Sequence, residues 1–157
     1  MARSATHSDP VARHFGLSPG SNADVASSRV LLIEDNDINI HLMQTLFRFL
    51  QNTELSVAHA AAEGVMLAKK MVPDLILLDL HLPDHSGLWA LQRIMEIPEC
   101  SNIPVIVVTA DDRDTEKKRL LKQGAKTYLT KPYDVPELLA CVESHLRAAH
   151  TAANRKS

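Results

Sequence analysis

The sequence has few cysteines and no long apolar run. Its two cysteines, Cys100 and Cys141, lie far apart without a ligand-like spacing, which indicates reduced thiols and not a disulfide framework or a zinc site. The longest apolar stretches contain only four or five residues. No early apolar segment follows a basic start, so neither a membrane span nor a signal peptide is predicted. We therefore expect a cytoplasmic protein that does not act at a membrane.

The sequence also lacks an excess of charge of either sign. Lys and Arg number 17, Asp and Glu number 19, and the formal net charge is −2. Binding to nucleic acid or to an anionic membrane surface typically needs a basic excess, so protein partners are the default expectation. A length of 157 residues suits one folded domain and is too short for two domains of ordinary size.

Composition divides the chain into three segments. Residues 1–28 are rich in Ser, Ala, Asp and Pro, and proline and glycine interrupt their short apolar groups, so a disordered leader is predicted. Residues 29–148 are expected to hold the folded domain, and residues 149–157 a flexible tail. The sequence after Leu146 is too short for an output module, so we expect no DNA-binding domain after the folded one.

Strand-like and helix-like patterns alternate through the folded domain. Short apolar runs predict buried strands at residues 29–33, 55–58, 75–78, 105–108 and 127–129. A stretch with helical spacing of apolar residues follows each of them. Five such units predict an α/β fold, in which a five-stranded parallel sheet is doubly wound and five helices cover its two faces.

The fourth predicted helix is unusually polar. Residues 111–119 contain no large apolar side chain, and only Leu120 and Leu121 are expected to anchor this helix. We therefore predict that it is loosely packed and the most movable of the five helices.

Reactive side chains stand where four of the predicted strands end. Glu34 and Asp35 follow the first strand, Asp79 the third, Thr109 the fourth and Lys131 the fifth. Ligands of such sheets bind beyond the carboxyl ends of the strands, near the switch in strand order, so these side chains should converge there. Acids, an alcohol and an amine together predict a site for a divalent cation and a phosphoryl group.

Asp79 is the predicted phosphoryl acceptor, because an aspartate carboxylate can hold a phosphoryl group as an acyl phosphate. Two carboxylates about 4 Å apart repel by roughly 4 kcal/mol at an effective dielectric of about 20, so a cation is needed. Mg²⁺ with octahedral oxygen ligands meets this need. The expected ligands are Asp35 and Asp79 directly, Glu34 through a water, and the backbone carbonyl of His81.

Lys131 and Thr109 are expected to contact the phosphoryl group. Pro132 disfavours helical backbone at Lys131, so the lysine ammonium can lean over the site and pair with Asp79 or the phosphate. The Thr109 hydroxyl can contact a phosphate oxygen in the modified state alone. A contact that differs between two states could drive a switch.

These residues together resemble the receiver domain of two-component response regulators, over about residues 29–148. The resemblance is carried by VLLIEDN at residues 30–36, DLILLDLHLPDHSG at 74–87, PVIVVTA at 104–110 and Lys131-Pro132. It implies a flavodoxin-like (βα)5 fold with strand order 2-1-3-4-5. It also implies that the acidic pair binds magnesium, that Asp79 accepts phosphate from a kinase histidine, and that the threonine and the lysine read its arrival.

The resemblance extends to the readout of the site. Tyr128 resembles an aromatic switch residue that turns inward as Thr109 moves, and a surface of helix 4, strand 5 and helix 5 would contact a downstream protein. His81 and Asp111 stand at positions that vary in the family and tune the lifetime of the phosphoryl group. A partly buried Tyr128 without a switching role remains an alternative.

The sequence therefore predicts a regulatory phosphoacceptor and not an enzyme, either as a stand-alone receiver or as the receiver of a larger kinase. Its donor would be a histidine kinase or a histidine phosphotransfer protein. Two alternatives are a binding module that works unphosphorylated and a hydrolase with an aspartyl-phosphate intermediate. The hydrolase is less favoured, because His81 occupies the position where such enzymes need a second acid. Trp89 is open to two interpretations, an exposed partner anchor or a local packing residue.

Overall fold

Strands and helices alternate along residues 27–155, the part of the chain that this computed structural model describes. The strands are β1 (Ser28–Ile33), β2 (Thr53–Ala58), β3 (Leu75–Asp79), β4 (Val105–Thr109) and β5 (Thr127–Thr130). The helices are α1 (Asp37–Phe47), α2 (Ala61–Met71), α3 (Gly87–Met95), α4 (Asp114–Lys122) and α5 (Val135–Arg155), and a short 3₁₀ helix (Pro98–Cys100) precedes β4. Every predicted strand is present, with ends within two residues of the predicted ones.

The five strands form one parallel sheet in the order β2-β1-β3-β4-β5. This confirms the predicted doubly wound fold and its strand order. Strand β2 lies on one side of β1, and β3, β4 and β5 lie on the other side. The strand order therefore reverses between β1 and β3, and a crevice opens at this point of the carboxyl edge in such a sheet.

Alternate residues of the central strands pack on opposite faces of the sheet. Val30 and Leu32 of β1 lie in a core with α1 and α5. Leu31 and Ile33 lie in a second core with α2 and α3. Strands β1, β3 and β4 are thus covered on both faces, which explains why their sequences are unbroken apolar runs.

Helix α4 has a single fully buried apolar side chain. Leu120 packs in the same core as α2 and α3, whereas Leu121 is 45% exposed. The prediction that both leucines anchor this helix is therefore wrong for Leu121. Successive residues of an α-helix point about 100° apart, so two adjacent leucines do not face the sheet together.

Helix α5 continues past residue 148, the predicted end of the folded domain. It reaches Arg155, and the Nε2 atom of His150 lies 2.8 Å from the Ser28 hydroxyl, within hydrogen-bonding distance. Ser28, predicted to end the leader, is a buried residue of β1. Flexibility of the predicted tail stays a prediction, and residues 1–26 and 156–157 lie outside the described part of the chain.

No helix between residues 27 and 155 combines the length and the apolar content that crossing a membrane requires.

Candidate functional site

The reactive side chains predicted from the strand ends lie at the carboxyl edge of the sheet. Glu34 directly follows β1, Asp79 ends β3, Thr109 ends β4, and Lys131 directly follows β5. Backbone bonds carry the sheet pairing up to the site, because the Glu34 N–H donates to Ala58 O at 3.0 Å and the Lys131 N–H donates to Thr109 O at 2.7 Å. The positions of these residues are therefore set by the sheet and not by a mobile loop.

Three carboxylates form an acidic cluster at this edge. Glu34, Asp35 and Asp79 each offer one oxygen, and these oxygens lie within 4.8 Å of one another. Glu34 and Asp79 are buried, whereas Asp35 is exposed. Among residues 27–155, this is the only group of three or more His, Cys, Asp or Glu side chains with such a geometry. The structure thus brings together the three acids that the sequence predicted as metal ligands.

Lys131 partly balances the charge of the cluster. Its ammonium Nζ lies 3.5 Å from Asp79 Oδ2 and 3.6 Å from Glu34 Oε2. The backbone N–H of His81 donates to the other oxygen of Asp79, Oδ1, at 3.2 Å. Three acidic side chains beside one ammonium give the site an excess of acidic groups, so the site favours a cation.

Burial raises the pKa of the Glu34 carboxyl above its ordinary value of 4.5. The neighbouring Asp79 raises the pKa further, while a hydrogen bond from the Asn36 backbone and the charge of Lys131 oppose the rise. Glu34 accepts from the Asn36 N–H at 3.0 Å and from Asn39 Nδ2 at 3.3 Å. Both bonds come from the start of α1, so the first turn of that helix holds the Glu34 side chain toward the cluster.

The metal-free protein is expected to lose a stabilising contribution of Glu34 as the pH rises. Because the folded-state pKa exceeds 4.5, the folded state keeps a proton that the unfolded state has already released. This contribution is complete below pH 4.5 and decreases as the pH rises through the raised pKa. Thermal unfolding in EDTA, compared between wild type and Glu34→Gln from about pH 4 to pH 8, measures it. Parallel pH profiles of the two proteins would contradict this assignment.

Thr109 lies fully buried at the end of β4. Its Oγ1 accepts from the Asp111 N–H at 3.0 Å, so the hydroxyl hydrogen stays available to another acceptor. The guanidinium of Arg113 donates hydrogen bonds to the Asp111 carboxylate, with Nε 2.9 Å from Oδ1 and 3.0 Å from Oδ2. These bonds lower the pKa of Asp111 to about 2. The loop after β4 is thus held by Thr109 at its base and by an ion pair at its surface.

Tyr128 is a half-buried residue of β5, paired with Val107 of β4. The ammonium of Lys117 in α4 lies 5.1 Å from the centre of its ring, a distance at which a cation interacts favourably with an aromatic face. Tyr128 therefore contacts the helix that has only one fully buried apolar residue. Its switching role stays a prediction.

The sequence as a whole identifies the family to which this site belongs. A model of the response regulator receiver domain matches residues 30–143. That range includes every strand end described above. The chain belongs to the response regulator receiver family.

Two named bacterial proteins are similar to this receiver domain over most of their length. The chain is 33% identical over 117 residues to the polar-differentiation response regulator DivK of Brucella ovis. The matched region covers 74% of this chain and 94% of DivK. The chain is 32% identical over 119 residues to Protein PilH of Pseudomonas aeruginosa, covering 76% of this chain and 98% of PilH.

Solved structures of receiver domains share the fold. The receiver domain of a sensor histidine kinase from Pseudomonas aeruginosa is 26% identical with a TM-score of 0.70, covers 77% of this chain and 98% of that one, and has a magnesium ion coordinated in its active site cleft. The receiver domain of Francisella response regulator 1452 is 27% identical with a TM-score of 0.72, over 78% of this chain and 98% of that one.

A pocket of about 410 Å³ lies beside the acidic cluster of this receiver domain. It is bounded by the loop after β3, the loop after β4 and helix α4, and its lining includes His81, Thr109, Arg113 and Arg119. Thr109 has almost no exposed surface of its own, yet it forms part of the pocket wall. A rearrangement of Thr109 would therefore change a space that α4 also borders.

Sequence reasoning missed two hydrogen-bonding residues of the receiver domain. Asn39 donates to Glu34, and the sequence signal for it was its place in the first turn of α1. Asp84 accepts from the Ala61 and Ala62 N–H groups at the start of α2. No local sequence pattern predicts the hydrogen bonds of Asp84, because its partners lie more than twenty residues earlier in the chain.

Trp89 packs locally in the receiver domain. The ring of His85 stacks on it at 3.9 Å between centroids, and the guanidinium of Arg93 lies 5.8 Å from its ring centre. Its side chain also contacts the core that contains α2 and α3. These contacts favour the packing interpretation over that of a free partner anchor.

Proposed function

We propose that this receiver domain accepts a phosphoryl group from a phosphohistidine onto Asp79 in a magnesium-dependent reaction. The observation that carries the proposal is the convergence of Asp79 with two further acids and the Lys131 ammonium at one edge of the sheet. The donor is a histidine kinase or a histidine phosphotransfer protein. The modified domain then signals by contact with a downstream protein.

The residues at this edge fit a magnesium ion. Mg²⁺ prefers oxygen ligands, and the acidic cluster offers three carboxylate oxygens within 4.8 Å of one another. Asp35 is exposed, and no described residue donates a hydrogen bond to it. Its carboxylate oxygens are therefore available to bind an ion. Asp35 and Asp79 would bind the ion directly, Glu34 through a water, and His81 through its backbone carbonyl. The bound ion would neutralise the charge of the carboxylates and of the incoming phosphoryl oxygens.

In the transfer step, a carboxylate oxygen of Asp79 forms a bond to phosphorus while the phosphorus–nitrogen bond of the donor breaks. The donor imidazole leaves with the electron pair of that bond. Lys131, which now contacts both Asp79 and Glu34, can shift its ammonium toward a phosphoryl oxygen without leaving the site. The chemistry therefore needs little beyond positioning and charge compensation, as expected for phosphoryl transfer.

Incubation with acetyl phosphate and Mg²⁺ tests the proposal against its two rivals. Intact-mass analysis should show the gain of one phosphoryl group, which peptide mapping should place on Asp79. Absence of modification would support the binding module that works unphosphorylated. Sustained turnover of a phosphoester substrate would support the hydrolase.

Thr109→Ala is expected to leave phosphorylation nearly intact and to weaken the response. The hydroxyl contributes a hydrogen bond to the charged phosphoryl group in the modified state alone, worth about 1.5–3 kcal/mol. Amide shifts of α4 and β5 on addition of beryllium fluoride, a phosphoryl mimic, measure the response. Thr127→Ala is the control, because Thr127 begins β5 at the edge of the sheet away from the site. A full-sized shift in the Thr109→Ala protein would remove this residue from the switch.

A further inference from the structure

The loop between β3 and α3, residues 80–86, is bonded at its outer part to a different helix. We refer to it as the acceptor loop because it follows Asp79. The two carboxylate oxygens of Asp84 accept from the Ala61 N–H at 2.8 Å and from the Ala62 N–H at 2.9 Å, at the first two residues of α2. The N-cap residue of α2, Ala60, provides no side-chain bond. Asp84 therefore acts as the cap of α2 from a distant loop.

The base of the acceptor loop is fixed to the acceptor itself. The Gly87 N–H donates to Leu80 O at 2.8 Å, and the His81 N–H donates to Asp79 Oδ1 at 3.2 Å. A Cβ atom at Gly87 would overlap the backbone oxygen of Asp79, so the chain closes tightly on the strand end. The acceptor loop is thus bonded to Asp79 at its start and, through Asp84, to the start of α2.

A carboxylate suits this position for two reasons. The first N–H groups of a helix have no partner within the helix, and the helix dipole favours negative charge there. The Ala62 N–H is the largest cause of a decrease in the pKa of Asp84 to about 2. Asp84 is therefore ionised at neutral pH and holds its two donors throughout the range in which the protein would work.

We propose that Asp84 is a positioning residue for the metal site, holding the acceptor loop so that the His81 backbone stays at the acidic cluster, and thereby coupling Mg²⁺ binding to the start of α2. This rests on the proposed function of the cluster, because His81 is assigned there as a backbone ligand. Coupling of two sites is reciprocal. Loss of the Asp84 bonds lowers Mg²⁺ affinity, and Mg²⁺ binding stabilises the Asp84 bonds.

The amides of Ala61 and Ala62 report this coupling directly. At the first two positions of α2 they have no carbonyl partner within the helix, and Asp84 is the acceptor that the structure gives them. Their hydrogen exchange therefore follows the opening of the Asp84 contact. In wild type, saturating Mg²⁺ should slow exchange at both amides, and an unchanged rate would overturn the proposal without any variant.

Calorimetric Mg²⁺ titration of three variants completes the test. Asp84→Ala should weaken Mg²⁺ binding about 10-fold, as loss of a residue that orients a ligand typically does. Asp84→Asn keeps one of the two acceptor oxygens and should recover part of the loss. Glu63→Ala is the matched control, because Glu63 accepts from the His59 N–H at the same end of α2 and does not bond to the acceptor loop. Thermal unfolding shows whether Asp84→Ala and Glu63→Ala lose similar stability.

The outcomes separate this proposal from the proposed function. Unchanged Mg²⁺ affinity in Asp84→Ala, or an equal loss in Glu63→Ala, would overturn the positioning role even if Asp79 is phosphorylated normally. A wild type that binds Mg²⁺ and shows the coupling, but is never modified by acetyl phosphate, would overturn phosphoryl acceptance and leave the positioning role intact. If Asp84→Ala does not fold, Asp84→Asn and the exchange of the wild-type amides decide the question.

Discussion

Replacement of Asp79 with asparagine is expected to abolish labelling by acetyl phosphate in Mg²⁺, with a decrease in rate of about 10³-fold or more, as for loss of other nucleophiles. The amide has no anionic oxygen to attack phosphorus. It is nearly the same size and retains an acceptor for the His81 N–H, which donates to Asp79 at 3.2 Å. Lys131 keeps its contact with Glu34, so the fold should persist and the loss should be chemical.

Intact-mass analysis after incubation with the phosphodonor measures this loss. Asp112→Asn is the control, because Asp112 is an exposed acid of the loop after β4 that lies outside the acidic cluster. It should be labelled like wild type. Normal labelling of Asp79→Asn would show that another residue accepts the phosphoryl group, and the assignment of Asp79 would be wrong.

Asp35→Ala is expected to weaken Mg²⁺ binding by roughly 10- to 100-fold, with a parallel loss of labelling at limiting Mg²⁺. Asp35 is the exposed member of the acidic cluster, and no described residue donates a hydrogen bond to it. Its removal therefore costs the metal-free fold little, and it relieves repulsion among the three carboxylates. The thermal stability of the metal-free variant should equal or exceed that of wild type.

Calorimetric titration with MgCl₂ checks this prediction, and saturating Mg²⁺ should restore labelling. Asp37→Asn is a useful control, since Asp37 stands two residues further along, in the first turn of α1, and is not part of the cluster. An Asp35→Ala protein with wild-type Mg²⁺ affinity would remove Asp35 from the ligand set.

Much of the fold could be predicted because the central strands are buried on both faces. In β3 and β4 every residue is buried, so the strands are visible as continuous apolar runs. The edge strand β2 was predicted two residues short, because Thr53 is partly exposed and Glu54 is exposed. At an edge the apolar signal weakens, and backbone pairing alone defines where the strand begins.

The convergence of the candidate site could also be predicted, because parallel strands deliver their end residues to one edge. Glu34, Asp79, Thr109 and Lys131 needed only the strand pattern and the strand order. Asp84 could not be found in this way. Its bonds to α2 depend on the conformations of two loops that are distant in the sequence, and no periodic pattern encodes such a pair.

The single fully buried leucine of α4 gives an energy scale for the proposed switch. Burial of one leucine side chain contributes about 1.5–3 kcal/mol, and one hydrogen bond to a charged group contributes about 1.5–3 kcal/mol. A phosphoryl group that gained one or two such bonds would thus match the burial free energy of Leu120. With Leu120 buried and Leu121 exposed, the rearrangement of α4 that the proposed function implies would give up the burial of one leucine side chain. Phosphorylation of Asp79 would then supply enough free energy to move α4, and loss of the phosphoryl group would let the helix return.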